Sequence, residues 1–366
     1  MQPDTLSDLI AARQERLRIR LQARKLPCLL VSNPTNIFYL TGFRGSAGIA
    51  AFSHSDAALW VDPRYTLQAH EQAHGVTVFE ERGELLKAAG QWLGRRRLNA
   101  AGYEDGNLTC AGYRRLRNYV PRGIRLYPAG GLVEDARRVK DAIEVEQIRR
   151  AGRLTAEVFQ QVRSQIRPEV RESDLAAEIE YRMRRAGADG AAFETIVASG
   201  VRSAWPHARA SSKLLKKNEL VIFDLGAILN GYAADMTRSV YLGVPPPRAR
   251  RLYNAVLEAQ QRAMEAAEAG GETGDIDRAA RRVLRHSRLE RFFTHSTGHG
   301  VGLEIHESPR VARRDRTRLE PGFVITIEPG VYMEGFGGIR IEDTVLVGEG
   351  QPEILTPAPK DDWIIA

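Results

Sequence analysis

The stretch "FDLGAILNGYAADMTRS" (residues 223–239) places two aspartates, Asp224 and Asp235, in segments that otherwise have the composition of β-strands. Aspartate is depleted in strands, so each of these positions needs a physical reason. The central Asn-Gly pair is the strongest two-residue signal for a type I′ hairpin. With that pair as the loop, the predicted register couples Leu229 with Tyr232, Gly226 with Asp235, and Asp224 with Thr237.

Asp224 and Gly226 lie on one face of the hairpin, because side chains two residues apart on a strand share a face. Asp235 is opposite Gly226 in the predicted register, so both aspartates lie on that face. As diagonal neighbours their Cβ atoms would lie roughly 7–8 Å apart. We expect Gly226 to leave the space between them open, and the apolar run "LVIF" predicts that the face is buried. Two buried like charges require a cationic partner, and either arginine or metal could supply it.

The composition is that of a globular protein and argues against nucleic-acid and membrane partners. The 366 residues predict two domains or one large one, and 43% apolar with 27% charged residues is typical of a globular protein. The formal charge is +7, but the cations are scattered and no nucleic-acid-binding signature is present, so we expect no nucleic-acid partner. The two cysteines, the charged N-terminus and the absence of a long apolar run predict a cytoplasmic protein with no membrane partner.

The order of predicted elements indicates two domains. About the first 20 residues have helical periodicity, and short strands alternating with helices then predict a smaller α/β domain over residues 1–132. The composition changes at a long amphipathic helix predicted across residues 132–166. Helices packed on a mainly antiparallel, curved sheet are expected beyond it, so the second domain, residues 133–366, is predicted to be α+β.

Further candidate ligands occur later in the chain. "HSTGHGVGLEIHE" contains His295, His299 and His306, and Glu328 and Glu342 lie in strand-like segments. Four carboxylates would neutralise two divalent cations, and one imidazole would add a neutral ligand. Oxygen-rich ligation with one imidazole suits Mn²⁺, with Co²⁺, Fe²⁺ or Zn²⁺ as substitutes. The HExxH pattern of a mononuclear zinc enzyme is absent from the sequence.

These residues resemble a known family, the pita-bread (creatinase/aminopeptidase-like) metallopeptidases, in their aminopeptidase P and prolidase branch. The matching stretches are "NPTNIFYLTGFRGSAG", "FDLGAILNGYAADMTRS", "HSTGHGVGLEIHESPR", "ITIEPGVY" and "GGIRIEDT". The resemblance spans nearly the whole chain and implies a creatinase-like N-terminal domain before a pita-bread catalytic domain. It also implies a homodimer.

The resemblance implies a role for each candidate. It assigns the metal ligands, with Asp235 and Glu342 bridging the two ions, to Asp224, Asp235, His299, Glu328 and Glu342. It places His207 and His306 beside the scissile carbonyl, His295 at the proline pocket, and Arg340 in a salt bridge with Asp235 or its neighbours.

The implied reaction is hydrolysis of the bond between an N-terminal residue and proline, by a hydroxide that bridges the metals, with Glu328 as the proton shuttle. Peptides with proline in second position are therefore the expected substrates. Arg310 in "HESPR" resembles an arginine that captures the proline carboxylate of dipeptides, although a surface role is equally compatible with the sequence.

Three different functions compete with this one. They are a metal-free interaction module on the same fold, a hydrolase of creatine-like compounds and a methionine aminopeptidase. The complete ligand set argues against the first two, and the long N-terminal domain argues against the third.

Overall fold

A computed structural model describes residues 5–366, and the chain divides into two compact units, Met1–Arg137 and Arg138–Ala366. The boundary predicted after residue 132 falls inside the helix Leu132–Arg137. The predicted N-terminal helix is confirmed over Leu6–Ala23, whereas residues 1–4 lie outside the described part.

The first unit is a mixed six-stranded sheet with helices, and the α/β prediction for it is confirmed. Its sheet order is β4-β3-β2-β1-β5-β6. The helices are α1 (Leu6–Ala23), α2 (Pro34–Thr41), α3 (Thr66–Gln72), α4 (Leu85–Arg95), α5 (Cys110–Tyr119) and α6 (Leu132–Arg137). The strands are β1 (Cys28–Val31), β2 (Gly48–Ser53), β3 (Ala57–Val61), β4 (Thr77–Glu80), β5 (Ala100–Tyr103) and β6 (Arg125–Pro128).

The second unit contains four long helices and several small sheets, which confirms the α+β prediction. The helices are α7 (Ala142–Val162), α8 (Glu172–Arg185), α9 (Pro247–Glu265) and α10 (Thr273–His286). The first strands are β7 (Gly190–Ala191), β8 (Ile196–Ser199), β9 (Glu219–Leu225), β10 (Ala227–Leu229), β11 (Tyr232–Ala233) and β12 (Met236–Leu242). The later strands are β13 (Gly298–Gly300), β14 (Glu307–Val311), β15 (Val324–Ile327), β16 (Gly330–Met333), β17 (Gly337–Arg340), β18 (Asp343–Leu346), β19 (Glu353–Ile354) and β20 (Ile364–Ile365).

Two of these sheets carry or flank the five candidate metal ligands. One has the order β20-β12-β9-β8, and the other has the order β14-β13-β15-β18-β19. Their apolar faces belong to different cores, because α7 and α8 contribute residues such as Phe159 and Ile179 to the core under β9 and β12. Helices α9 and α10 pack residues such as Val256 and Ile276 on the core under β15 and β18.

The predicted hairpin register is confirmed at both ends, where Leu229 pairs with Tyr232 and Asp224 pairs with Thr237. Asn230 and Gly231 have φ angles of 51° and 84°, the two positive values that a type I′ turn requires. The register is unchanged on both sides of Gly226, with Leu225 opposite Met236 and Ile228 opposite Ala233, although Gly226 and Asp235 themselves lie outside the regular strands.

The space beside Gly226 is filled and not open as predicted, because a Cβ there would lie 2.1 Å from the carbonyl oxygen of Ala234. Glycine is needed here for close backbone approach.

The prediction of one long helix across residues 132–166 is wrong, because the structure has two helices there, α6 and α7. Lys140 donates its backbone N–H to Gly322 O (2.9 Å), and Val139 forms a β-bridge with Phe323. Asp141 then caps α7 in a capping box with Glu144. Helical periodicity alone does not reveal a break whose polar backbone groups are satisfied by distant residues.

Candidate active site

The two aspartates of the opening stretch enter the site from adjacent strands. Asp224 lies on β9, and Asp235 lies in the interruption immediately before β12 with 5% of its surface exposed. Arg340 Nη2 donates to Asp224 Oδ2 at 2.6 Å. The salt bridge predicted for Arg340 therefore forms with Asp224 and not with Asp235 itself, and arginine compensates part of the negative charge.

The other sheet brings the remaining candidates to the same place. His299 lies on β13, Glu328 follows β15, and Glu342 precedes β18. His299 Nε2 is 3.6 Å from Asp235 Oδ2 and 3.8 Å from Glu328 Oε1. Asp235, His299 and Glu342 each offer one ligand atom, and these three atoms lie within 4.8 Å of one another.

Side-chain and backbone bonds tie the two sheets together at this point. Thr344 Oγ1 donates to Asp235 O (2.7 Å), and Glu342 donates its backbone N–H to Thr237 O (3.1 Å). Thr237 Oγ1 in turn donates to Glu342 Oε2 at 2.7 Å. These bonds set the spacing between ligands that are far apart in sequence.

The electrostatics show an excess of negative charge. Burial, followed by the neighbouring carboxylates, raises the pKa of Asp235 and of Glu342 well above the usual range. Burial raises the pKa of Glu328 to about 8, although Arg340 opposes the shift. Within the described part of the chain, Asp224 Oδ1 and Asp235 Oδ1 are buried without a hydrogen-bond partner. This donor set fits divalent cations, which would supply the missing positive charge.

His299 is oriented as a ligand. Its Nδ1 lies 3.0 Å from Gly300 O, and because a carbonyl only accepts, Nδ1 carries the proton and Nε2 presents a lone pair to the carboxylates. Burial lowers the pKa of His299 to about 4, so the ring is neutral, as ligation requires. Gly298 lets the strand carrying this ring approach closely, since a Cβ there would lie 1.9 Å from Thr326 O.

A cavity of about 710 Å³ surrounds these groups. Every site residue predicted from the sequence lines it, namely His207, Asp224, Asp235, His295, His299, His306, Arg310, Glu328, Arg340 and Glu342. The centroids of the His299 and His306 rings lie 4.3 Å apart, and β13 pairs with β14 so that His299 is opposite Arg310. The structure thus brings the whole predicted set together.

Tyr332 is a site residue that the sequence motifs did not single out. Its hydroxyl is 2.8 Å from His295 Nε2 and accepts a hydrogen bond from Arg340 Nη1 at 2.7 Å. The signal was present in the motif "ITIEPGVY", where Tyr332 lies four residues after Glu328. A buried tyrosine in a strand is ordinarily part of the core, so the motif alone gave no reason to select it.

No helix within residues 5–366 is long and apolar enough to cross a membrane.

Comparison with known proteins identifies two domains of known type. Residues 146–349 match the model of metallopeptidase family M24, and residues 13–139 match the creatinase/prolidase N-terminal domain. An Xaa-Pro dipeptidase of Pyrococcus furiosus is 35% identical over 353 residues, covering 95% of this chain and 99% of the relative.

Solved structures agree with the sequence matches. An Xaa-Pro dipeptidase from Bacillus anthracis superposes with a TM-score of 0.95 at 35% identity, covering 97% of this chain and 100% of that one. An X-Pro aminopeptidase from Thermotoga maritima gives a TM-score of 0.89 at 35% identity, covering 96% of this chain and 100% of that one. The predicted fold, a pita-bread domain preceded by a creatinase-type domain, is confirmed.

A metal-free interaction module finds no support in these matches. The chain belongs to metallopeptidase family M24 and is a metal-dependent peptidase with a creatinase/prolidase N-terminal domain.

Proposed function

We propose that this peptidase hydrolyses the bond between an N-terminal residue and proline, and that dipeptides with C-terminal proline are its preferred substrates. The observation that carries the proposal is the convergence of Asp224, Asp235, His299, Glu328 and Glu342 on one cavity. The names of the similar Pyrococcus and Bacillus proteins, both Xaa-Pro dipeptidases, support the substrate class.

The same five residues would hold two divalent ions, for which we propose Mn²⁺ because the set is rich in carboxylate oxygen. Bound there, such ions supply Lewis acidity, which polarises a carbonyl oxygen and acidifies water. The missing hydrogen-bond partners of Asp224 Oδ1 and Asp235 Oδ1 support this assignment, since metal ligation would use both atoms.

The protein's own residues perform the remaining tasks. Glu328 Oε1 lies 3.8 Å from His299 Nε2 and Glu328 Oε2 lies 3.9 Å from His295 Nδ1, between a proposed ligand and the proposed proline pocket. From this position we propose that the carboxylate carries a proton from the nucleophile to the leaving proline nitrogen. His207 and His306 line the cavity and can donate hydrogen bonds to the scissile carbonyl and its developing oxyanion.

Two features fit proline and a short substrate. His295, held by Tyr332 and packed against the edge of the Phe293 ring, forms a rigid wall suited to a proline ring. Arg310 is exposed and lies opposite His299 on the cavity side of β14, where a guanidinium can bind the proline carboxylate through two hydrogen bonds.

The test compares hydrolysis of Ala-Pro, Ala-Pro-Pro and a longer Xaa-Pro peptide by protein loaded with Mn²⁺, Co²⁺ or Zn²⁺. We expect Ala-Pro to be cleaved with the highest kcat/KM, and Arg310→Ala to reduce that preference by raising KM for the dipeptide. Equal or better cleavage of the longer peptides would replace the dipeptidase proposal with an aminopeptidase. No cleavage of any Xaa-Pro bond would overturn the proposal.

The homodimer, the cytoplasmic location and the boundary after residue 132 remain predictions. Analytical ultracentrifugation of the purified protein tests the first of them.

A further inference from the structure

We propose that Asp277 and Arg281, an ion pair on α10, are positioning residues of the peptidase site, acting through the segment 293–297. Neither residue lines the cavity. The kinetic side of this inference rests on the proposed function.

Asp277 is fully buried, and Arg281 is largely shielded from solvent. Arg281 Nε donates to Asp277 Oδ2 at 2.7 Å, and the side chains are 17% and 0% exposed, respectively. Helix α10 is itself anchored in the core by Ile276, Ala280 and Leu284, each fully buried. A rigid helix therefore presents a fixed carboxylate and a fixed guanidinium.

Arg281 uses its other two nitrogens to hold the backbone that carries His295. Nη1 donates to Phe293 O at 3.1 Å, and Nη2 donates to His295 O at 2.6 Å. The guanidinium also lies 4.3 Å from the centre of the Phe293 ring. Only a planar group with several donors can serve Asp277 and both carbonyls at once, and a lysine cannot.

Asp277 reaches a second site residue through Thr297. The Thr297 hydroxyl donates to Asp277 Oδ1 at 2.9 Å, and the Thr297 carbonyl accepts the backbone N–H of Glu328 at 2.8 Å. Thr297 is fully buried and lies two residues before His299. The chain Asp277–Thr297–Glu328 therefore sets the position of a residue proposed both as ligand and as proton carrier.

A purely structural ion pair would explain the low exposure, but not why both Nη atoms of Arg281 and Oδ1 of Asp277 form hydrogen bonds with the segment 293–297. A neighbouring pair on the same helix provides the contrast. Arg278 binds Asp275 (2.6 Å) with both side chains about half exposed, and its other contacts are Glu272 and Arg313 O, away from the cavity.

The decisive variants are Thr297→Val, which removes only the hydroxyl link, and Thr297→Ser, which keeps it. We expect Thr297→Val to lower kcat about tenfold with KM nearly unchanged. Loss of a group that orients a metal ligand typically lowers activity or metal affinity about 10- to 100-fold. Thr297→Ser keeps the hydroxyl and should have a kcat close to that of the wild type. Independently of activity, hydrogen exchange of the Glu328 amide should be faster in Thr297→Val, both with and without Mn²⁺.

Arg281→Lys tests the other arm, and Arg278→Lys is its matched control. We expect Arg281→Lys to raise KM several-fold through loss of order at His295, whereas Arg278→Lys should leave kcat, KM and exchange at the wild-type values. Unchanged kcat, KM and Glu328 exchange in Thr297→Val, even with a lower melting temperature, would reduce the pair to a structural role. Equal effects in Arg278→Lys would overturn the proposal too.

A wild-type protein that cleaves no Xaa-Pro bond would overturn the proposed function, and the exchange comparison would still decide the positioning role.

Discussion

At the scale of single residues, the site is a collection of charges that the polypeptide only partly neutralises. Arg340 pairs with Asp224, but the largely shielded carboxylates of Asp235, Glu328 and Glu342 remain beside one another with raised pKa values, and desolvation is the first cause in each case. Such an arrangement weakens the metal-free fold and is stabilised by divalent cations.

The first prediction concerns Asp235. Asp235→Asn removes a charge from the cluster, so metal binding and hydrolysis should both be lost while the protein stays folded. Elemental analysis after dialysis against Mn²⁺, together with an Ala-Pro assay, measures this. Normal metal content and turnover in the variant would exclude Asp235 as a ligand.

At the scale of elements, most of the ligands lie where strand pairing stops. Asp235 precedes β12, Glu328 follows β15, and Glu342 precedes β18. A side chain released from the regular alternation of a strand can turn towards neighbours on another sheet. The interruption at Gly226 is therefore part of how the site is built.

Gly226→Ala should damage the site without removing any ligand. Its Cβ would meet the backbone oxygen of Ala234 at 2.1 Å, so residues 234 and 235 must move. We expect affinity for Mn²⁺, measured by titration calorimetry, to fall at least tenfold, in line with the cost of disturbed outer contacts. Gly348→Ala, where a Cβ meets nothing within 4 Å, is the control and should bind Mn²⁺ normally.

A second prediction at this scale concerns the ion pair that joins the two sheets. Asp343 is fully buried and accepts hydrogen bonds from Arg238 (2.7 Å), Lys360 (2.6 Å) and Gln260 (2.8 Å). Asp343→Asn should lower the free energy of unfolding by about 3–5 kcal/mol, because it leaves the buried Arg238 guanidinium without its counter-charge.

Urea denaturation of the metal-free protein measures that loss. Glu265→Gln, which breaks the exposed pair with Arg262, is the control and should cost far less than Asp343→Asn. Equal losses in the two variants would contradict the assignment of Asp343 as a junction.

At the scale of the whole molecule, the chain is two units with separate cores, and all five proposed ligands belong to the second. Metal should therefore stabilise one unit selectively. At a free metal concentration 100 times the dissociation constant, binding to the folded state raises the free energy of unfolding by about 2.7 kcal/mol.

Hydrogen exchange with and without Mn²⁺ tests this selectivity. We expect slower exchange in peptides from β9, β12, β13 and β15, and unchanged exchange in peptides from β1 and β5 of the first unit. Asp235→Asn should show no response to the metal. Equal protection of both units in the wild type would contradict the prediction.

The sequence by itself determined the two fold classes, the hairpin register and the acidic and imidazole residues that need a common partner. These follow from local rules: Asn-Gly demands a particular turn, alternation sets the faces of strands, and unusual residue types within apolar strands mark positions that need a partner. The family likeness added His207 and Arg310 to the predicted site and gave each residue a role, because its motifs occur intact.

Only the tertiary structure decided how those groups meet. The break between α6 and α7, the partner of Arg340, the position of Tyr332 and the support of Glu328 by Asp277 through Thr297 all depend on contacts between residues distant in sequence. Periodicity and composition describe how one segment meets solvent or core. They carry no information on which buried polar atom will satisfy another across two sheets, and that pairing arises only when the sheets pack.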